Sequence, residues 1–385
     1  MTSLAIRRLV SVRKVTAVTA IPNANQSVVV KIGGWSVVTP RSAGFQDGQL
    51  VVYVEIDSVL PNTDPFWEYY VSNSRMIDGK RICLVRTAII KKQLSQGLVF
   101  PLNHFSQIVE IFNGLKGKYS LEEAERILMT KSFEDILDVK KFEYPSIVTL
   151  STRLLGPSPV FIEQPGAHRA QNIRNLFIDK GDLRFNITEK LDGIPMSVYM
   201  VQPGSQWWTG LPVLKGATSF YENMSTRIGV CGRFEDYAES DNCEFWKAAK
   251  SQGIIDGMKR RFQGRNIVVQ GELCGSSILG NTMGFPPGKH HFYVFDIYNI
   301  DKQEYFTPLR VLHTCSEEHW DIVPVIEHSI KLNDFAKDVD DLLKKAEGNG
   351  MLGKMREGLV FKSLHGRCVF KAISNPWLLM TGKKV

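Results

Sequence analysis

Two apolar-rich alternating runs, Arg184–Leu191 and Ile194–Met200, are separated only by Asp192-Gly193. A period of two on both sides of a two-residue break commits this region to strands with a sharp reversal between them. Asp-Gly suits a tight hairpin turn, and that is the simplest structural reading. The same residues also spell Lys190-Leu191-Asp192-Gly193. A Lys-x-Asp-Gly closing a strand presents an amine nucleophile beside a carboxylate. Covalent nucleotidyl transfer needs that pairing, a lysine to form a phosphoramidate and an anion to hold a metal. By residue frequencies alone the tetrapeptide arises in roughly one chain in ten of this size, so it decides nothing by itself.

The 385 residues suffice for two or three domains with real cores. No apolar run has the length of a membrane span, and nothing resembles a secretory signal. The six cysteines are scattered without a Cys-x-x-Cys pair, which argues against a zinc site or disulfide framework and fits a reducing, intracellular compartment. The expected location is cytoplasmic, with nucleus and mitochondrion as alternatives. A net charge of +7 is unevenly spread: Arg7, Arg8, Arg13, Lys14, Lys31 and Arg41 all precede the first acidic residue, Asp47. A polyanionic partner explains that bias. A mitochondrial transit peptide would share it, but strand patterning from the outset favours a folded segment.

Strands are expected at Val15–Ile21, Ser27–Ile32, Trp35–Pro40, Gln49–Ile56, Arg81–Ile90 and Leu98–Pro101. Short strands this closely spaced suggest an oligonucleotide-binding (OB) barrel over residues 1–103. Residues 104–155 read as a helical connector, with a capping box at Ser120-Leu121-Glu122-Glu123 and a second helix start at Ser132. Residues 156–385 alternate strands with helices, the helices at Cys243–Phe262 and Asp334–Glu347. The fold class is α+β, an OB-like barrel joined to a mixed domain of antiparallel sheets with flanking helices.

Downstream of Lys190, strands carry Gly271-Glu272-Leu273-Cys274-Gly275, Phe292-Tyr293-Val294-Phe295-Asp296, Glu357-Gly358-Leu359-Val360-Phe361-Lys362 and Phe370-Lys371-Ala372-Ile373-Ser374-Asn375. Each alone reads as structure. In this order the series resembles motifs III, IIIa, IV and V of the covalent nucleotidyltransferases, the superfamily of ATP-dependent ligases and mRNA-capping enzymes, with Glu189-Lys190-Leu191-Asp192-Gly193 as motif I. Gly229-Val230-Cys231-Gly232-Arg233 looks like motif Ia, with Arg233 as its functional position. Only 14 residues follow Lys371, too few for the OB domain that DNA ligases and capping enzymes carry after motif V. The segment Val28–Trp35 through Tyr53–Ser58, with Leu94-Ser95-Gln96-Gly97-Leu98, instead resembles the N-terminal domain of the fifth RNA ligase family, the Deinococcus/Naegleria type.

Two departures stand out. Relatives carry Lys-Thr-Asp-Glu-x-Arg-x-Gln-Asn before motif I, where this chain has Gln164-Pro165-Gly166-Ala167-His168-Arg169-Ala170-Gln171-Asn172. Motif V often has two alternating lysines, and Val369 occupies the first position here. Arg367 is the nearest substitute for the missing phosphate contacts.

The resemblance implies three displacements at phosphorus. Lys190 Nζ attacks the ATP α-phosphate to give lysyl-AMP, the adenylate passes to an RNA 5′-phosphate, and a 3′-hydroxyl seals the strand with loss of AMP. With a reference pKa near 10.4, only about one lysine in a thousand is neutral at pH 7.4, so nearby positive charge must favour the amine. Mg²⁺ or Mn²⁺ held through water by Asp192, Glu272 and Glu357 is the expected source, with Lys362 and Lys371 adding to it. The resemblance also puts Glu189, Gly193 and Glu272 at the nucleotide, Phe295 against adenine, and Arg169 and Arg233 at the ribose or RNA termini. The N-terminal domain is expected to grip RNA or an RNA-containing duplex. Phe66-Trp67-Glu68-Tyr69-Tyr70 is expected to pack rather than stack on bases, and Lys259-Arg260-Arg261 with Arg265 to sit on a solvated face. The implied protein is a monomeric ATP-dependent RNA ligase. The competing readings are a DNA ligase or guanylyltransferase of the same superfamily and an inert RNA-binding homologue.

Overall fold

The computed structural model describes residues 7–61, 65–71, 75–77, 80–142, 154–211 and 226–382. In the N-terminal part, Val10–Lys14, Leu50–Val54 and Leu98–Pro101 form one antiparallel sheet, and Ala17–Ala20, Ser27–Ile32 and Trp35–Pro40 another. The expected strand at Val15–Ile21 begins two residues late because the chain changes sheets there: Val15 N–H bonds Gln49 O and Thr16 N–H bonds Lys31 O. Leu50–Val54 has no polar face because it separates two cores. Val52 and Val54 pack with Val10, Val12, Trp67 and Phe100, while Val51 and Tyr53 pack with Val30, Ile32 and Trp35. The Arg81–Ile90 run is two strands, Lys80–Leu84 and Thr87–Ile90. An OB-like array results, but the described strand pairings leave it open rather than closed into a barrel.

Helices Ser106–Lys116 and Leu121–Leu128 follow, the second capped as its sequence requires, with Ser120 Oγ accepting from Glu123 N–H. The helix expected at Ser132 does not form. Phe133 is buried among Val10, Leu128 and Val139, and the Glu134 carboxylate accepts from Leu9 N–H instead of supporting a helical turn. Residues 104–142 thus pack into the same core as the strands before them.

The remainder holds two sheets. The larger runs in the order Leu154–Pro157, Glu235–Tyr237, Arg227–Cys231, Ile194–Val201, Ile267–Gly275, His290–Asn299, Glu304–Tyr305. The smaller runs His168–Arg169, Val369–Ile373, Gly358–Ser363, Arg184–Lys190, Val325–Lys331. Helices Glu244–Ser251, Ile254–Arg261 and Pro308–Glu318 cover one face of the larger sheet, burying Phe245, Trp246, Met258 and Val311 against Val269, Phe292 and Val294. The helix expected over Cys243–Phe262 is interrupted at Gly253, where φ is 67°. The one expected over Asp334–Glu347 is two short helices, Leu332–Phe335 and Val339–Lys345, the latter capped by Asp338.

The hairpin reading of Asp192-Gly193 is overturned. Arg184–Lys190 pairs with Gly358–Ser363 and Val325–Lys331 in the smaller sheet, whereas Ile194–Val201 pairs with Arg227–Cys231 and Ile267–Gly275 in the larger. The turn carries the chain from one sheet to the other. Gly193 is required there because a Cβ would lie 2.5 Å from Leu273 O and 2.7 Å from Glu272 Cγ.

The two halves are docked closely. Asn172 Nδ2 donates to Glu55 Oε1 at 2.8 Å, and Arg7 Nε reaches the same oxygen at 2.7 Å. Leu94 packs on Ile373, Trp377 and Leu378. None of the described helices is long and apolar enough to cross a membrane, and all six cysteines are free and buried.

Candidate active site

Because one turn joins the sheets, their facing residues converge on Lys190. Lys190 Nζ donates to Glu357 Oε2 at 2.8 Å, Glu357 preceding the strand whose Gly358 pairs with Lys190. Glu272 comes from the larger sheet and accepts a hydrogen bond from the Gly193 backbone, so the close approach at Gly193 serves the carboxylate directly. Asp192 lines the same small cavity as Lys190 and Glu357.

The charges are strongly coupled. Burial works to lower the Lys190 pKa, but the carboxylates of Glu357, Glu272 and Asp192 outweigh it and hold the ammonium above its ordinary value. Burial pushes Glu272 up to about 7, opposed by Lys190 and reinforced by the negative charge of Glu357 and Asp192. On the neighbouring strand, burial and then the cations Lys190 and Arg169 bring Lys371 down to about 7. Three carboxylates around one lysine leave an excess of negative charge, which suits a divalent cation. Carboxylate oxygens suit a hard divalent cation that keeps water or phosphate oxygens in its shell.

Lys362 also ties the two sheets together. Its Nζ lies 2.8 Å from Asp296 Oδ2, donates to Phe295 O at 2.7 Å, and sits 5.0 Å from the Phe295 ring centroid.

A half-buried lysine between two sheets stands beside three carboxylates and two further lysines. The RNA ligase family model matches residues 183–373, and an OB-fold domain model matches residues 9–102. A solved Naegleria gruberi RNA ligase with PPi is 30% identical, aligns over 97% of this chain and 98% of its own, and superposes with a TM-score of 0.71. The chain belongs to the RNA ligase family. A variant of the Naegleria gruberi enzyme with AMP and Mn is also 30% identical over the same shares, at a TM-score of 0.72. Another variant, with ATP and Mn, is 29% identical over 96% of this chain and 98% of its own, at a TM-score of 0.72. No curated protein sequence matches the chain.

In this ligase, not every expected residue lies free in the cleft. The Glu189 carboxylate accepts from Met351 N–H at 3.0 Å and so pins the loop before Glu357. Arg169 is buried at the junction of the two halves, its guanidinium 5.4 Å from the Trp35 ring centroid and within the field of Asp57 and Glu55. Arg233 is exposed and donates to Pro165 O at 3.3 Å. Gln164, where the family resemblance implies lysine, donates to Ser158 Oγ at 3.3 Å. Arg367 does not reach in to replace it: the guanidinium stacks 3.6 Å over Tyr305 and pairs with Glu163 at 2.8 Å. Trp67 is core, as expected. Arg260 and Arg261 are paired with Glu318 and Glu317.

One contact had no signal in the sequence. Thr282, in the irregular segment between Gly275 and His290, donates from its hydroxyl to Asp192 Oδ2.

Proposed function

We propose that the ligase is ATP-dependent, joins 3′-hydroxyl to 5′-phosphate ends, and acts at nicks in duplexes whose 3′-OH strand is RNA. The observation that carries this reading is Lys190 at the sheet junction, held by Glu357 with Glu272 and Asp192 in its field. The Naegleria gruberi complexes with ATP and Mn, and with AMP and Mn, support ATP as the nucleotide and a divalent cation as cofactor.

Lys190 Nζ attacks the α-phosphorus of ATP, forming a P–N bond as the bond to pyrophosphate breaks. The 5′-phosphate of RNA then attacks the same phosphorus and releases the lysine. Finally the 3′-hydroxyl attacks the RNA 5′-phosphorus, and AMP leaves. Positioning and charge stabilisation supply most of the rate in such displacements. Mg²⁺ or Mn²⁺, held through its own waters by Asp192, Glu272 and Glu357, would offset the field that keeps Lys190 protonated and neutralise phosphate charge. Lys371 and Lys362 face the developing negative charge, and Phe295 borders the base. The Glu357 contact that restrains the ammonium also aims Nζ into the cleft. The protein is taken to act as a monomer in a reducing, cytoplasmic compartment, consistent with six buried free thiols.

Label transfer from [α-³²P]ATP, followed by a chase with nicked duplexes, tests this reading. The label should enter wild type but not Lys190→Ala, and discharge into sealed product only when the 3′-OH strand ends in RNA. Equal labelling of the variant would remove Lys190 from the chemistry.

A further inference from the structure

We propose that Thr282 is a positioning residue for lysine adenylylation, its hydroxyl orienting the Asp192 carboxylate beside Lys190. This rests on the ligase reading. The segment from Ser276 to Lys289 has no regular structure, yet its shape is determined by specific contacts. Leu279, Gly280, Asn281 and Gly284 all have positive φ, at 46°, 77°, 52° and 83°. Asn281 clamps the turn from both sides: its Oδ1 accepts from Phe285 N–H at 2.7 Å and its Nδ2 donates to Phe285 O at 2.9 Å. The Phe285 ring is buried with Leu191, Cys274, Tyr293 and Val323, directly under the Lys190–Gly193 crossing. Met283 thereby lines the cavity shared by Lys190, Asp192 and Glu357, and the hydroxyl of the preceding residue, Thr282, donates to Asp192 Oδ2.

The chemical consequence follows from the charges. Asp192 is two residues beyond the oppositely charged Lys190, so a carboxylate without a second hydrogen-bond partner would be drawn onto the ammonium. A hydroxyl donor engages one oxygen and orients the carboxylate toward Thr282. The carboxylate is thereby oriented for the hydration shell of the cation. Valine has the shape of threonine but no donor, whereas serine retains the donor.

The test compares wild type, Thr282→Val and Thr282→Ser. Lysyl-AMP formation is followed as a function of Mn²⁺, and Mn²⁺ binding by the EPR signal of the free ion in the presence of AMP. The expected result for Thr282→Val is about tenfold slower adenylylation, an extrapolation from one charge-assisted hydrogen bond, with weaker Mn²⁺ binding and a melting temperature near wild type. Thr282→Ser should restore both readouts. Three outcomes overturn the proposal: Thr282→Val indistinguishable from wild type, Thr282→Ser as impaired as Thr282→Val, or a rate loss with unchanged Mn²⁺ binding. Absence of label in wild type would instead overturn the ligase reading itself, and this inference with it.

Discussion

Lys190 Nζ and Glu357 Oε2 are 2.8 Å apart on adjacent chain segments of one sheet, and the Glu357 side chain is only 3% exposed. The proposed nucleophile is thus held by the partner that most opposes its deprotonation. The pair resolves a conflict between aim and reactivity: the carboxylate fixes where Nζ points, and neutralising that carboxylate releases the amine.

Replacing Glu357 with Gln should therefore lower the Lys190 pKa. The carboxylate is the strongest influence raising it, and burial, which lowers it, remains after the change. Chemical modification of Lys190 by an amine-selective reagent, read by mass spectrometry across pH, should begin at lower pH in Glu357→Gln than in wild type. Adenylylation should nonetheless fall, because aim and cation binding are lost with the charge.

Gly193→Ala should disable the site more than it unfolds the protein. The new methyl meets Leu273 O at 2.5 Å and Glu272 Cγ at 2.7 Å, pushing the Asp192-Gly193 turn off the strand that carries Glu272. A displacement on the order of 1 Å at a reacting centre costs about a hundredfold in rate. Overpacking of this kind destabilises by about 1–3 kcal/mol. Single-turnover labelling alongside a thermal melt separates the two effects.

Docking of the N-terminal half is testable at Gly34, which has φ of 86° and whose Cβ would lie 2.6 Å from Val339 Cγ1. Gly34→Ala combines a left-handed backbone with a clash against the catalytic half and should cost about 2 kcal/mol or more. Hydrogen exchange should rise at Val339–Lys345 in the variant, with the Lys190 strand less affected.

A pH dependence arises away from the site. Asp236 is fully buried and accepts from the Tyr199 hydroxyl at 2.5 Å, and burial pushes its pKa up to about 6 from 3.8. The folded state binds this proton more tightly than the unfolded chain. The contribution is thus fully present below pH 3.8, declines as pH rises toward 6, and is gone above it. The difference amounts to about 3 kcal/mol. Asp236→Asn should flatten the change in stability between about pH 4 and 6, measured by urea unfolding, relative to wild type.

Strand locations were largely legible. Ser27–Ile32, Trp35–Pro40 and Leu98–Pro101 were read to the residue, because β-branched runs bounded by Gly, Asn and Asp carry a local signal. Helix continuity was not. Gly253 and Asp338 break helices at points where tertiary contacts and capping outweigh periodicity. Arg367 shows the corresponding limit at the site: its charge and position suited a phosphate contact, but Tyr305 and Glu163, more than sixty residues away in sequence, hold it.

The order of Lys190, Glu272, Phe295, Glu357 and Lys371 along the chain carried the family resemblance that implied the chemistry, four of them in strands and Glu357 immediately before one. Local pattern cannot report which strands pair, because alternation specifies a buried face without specifying what buries it. The structure alone decided that Asp192-Gly193 joins two sheets and does not close a hairpin, which brings Glu272 from one sheet to Lys190 on the other. It also decided that Thr282 meets Asp192, a contact between residues ninety positions apart that only packing could create.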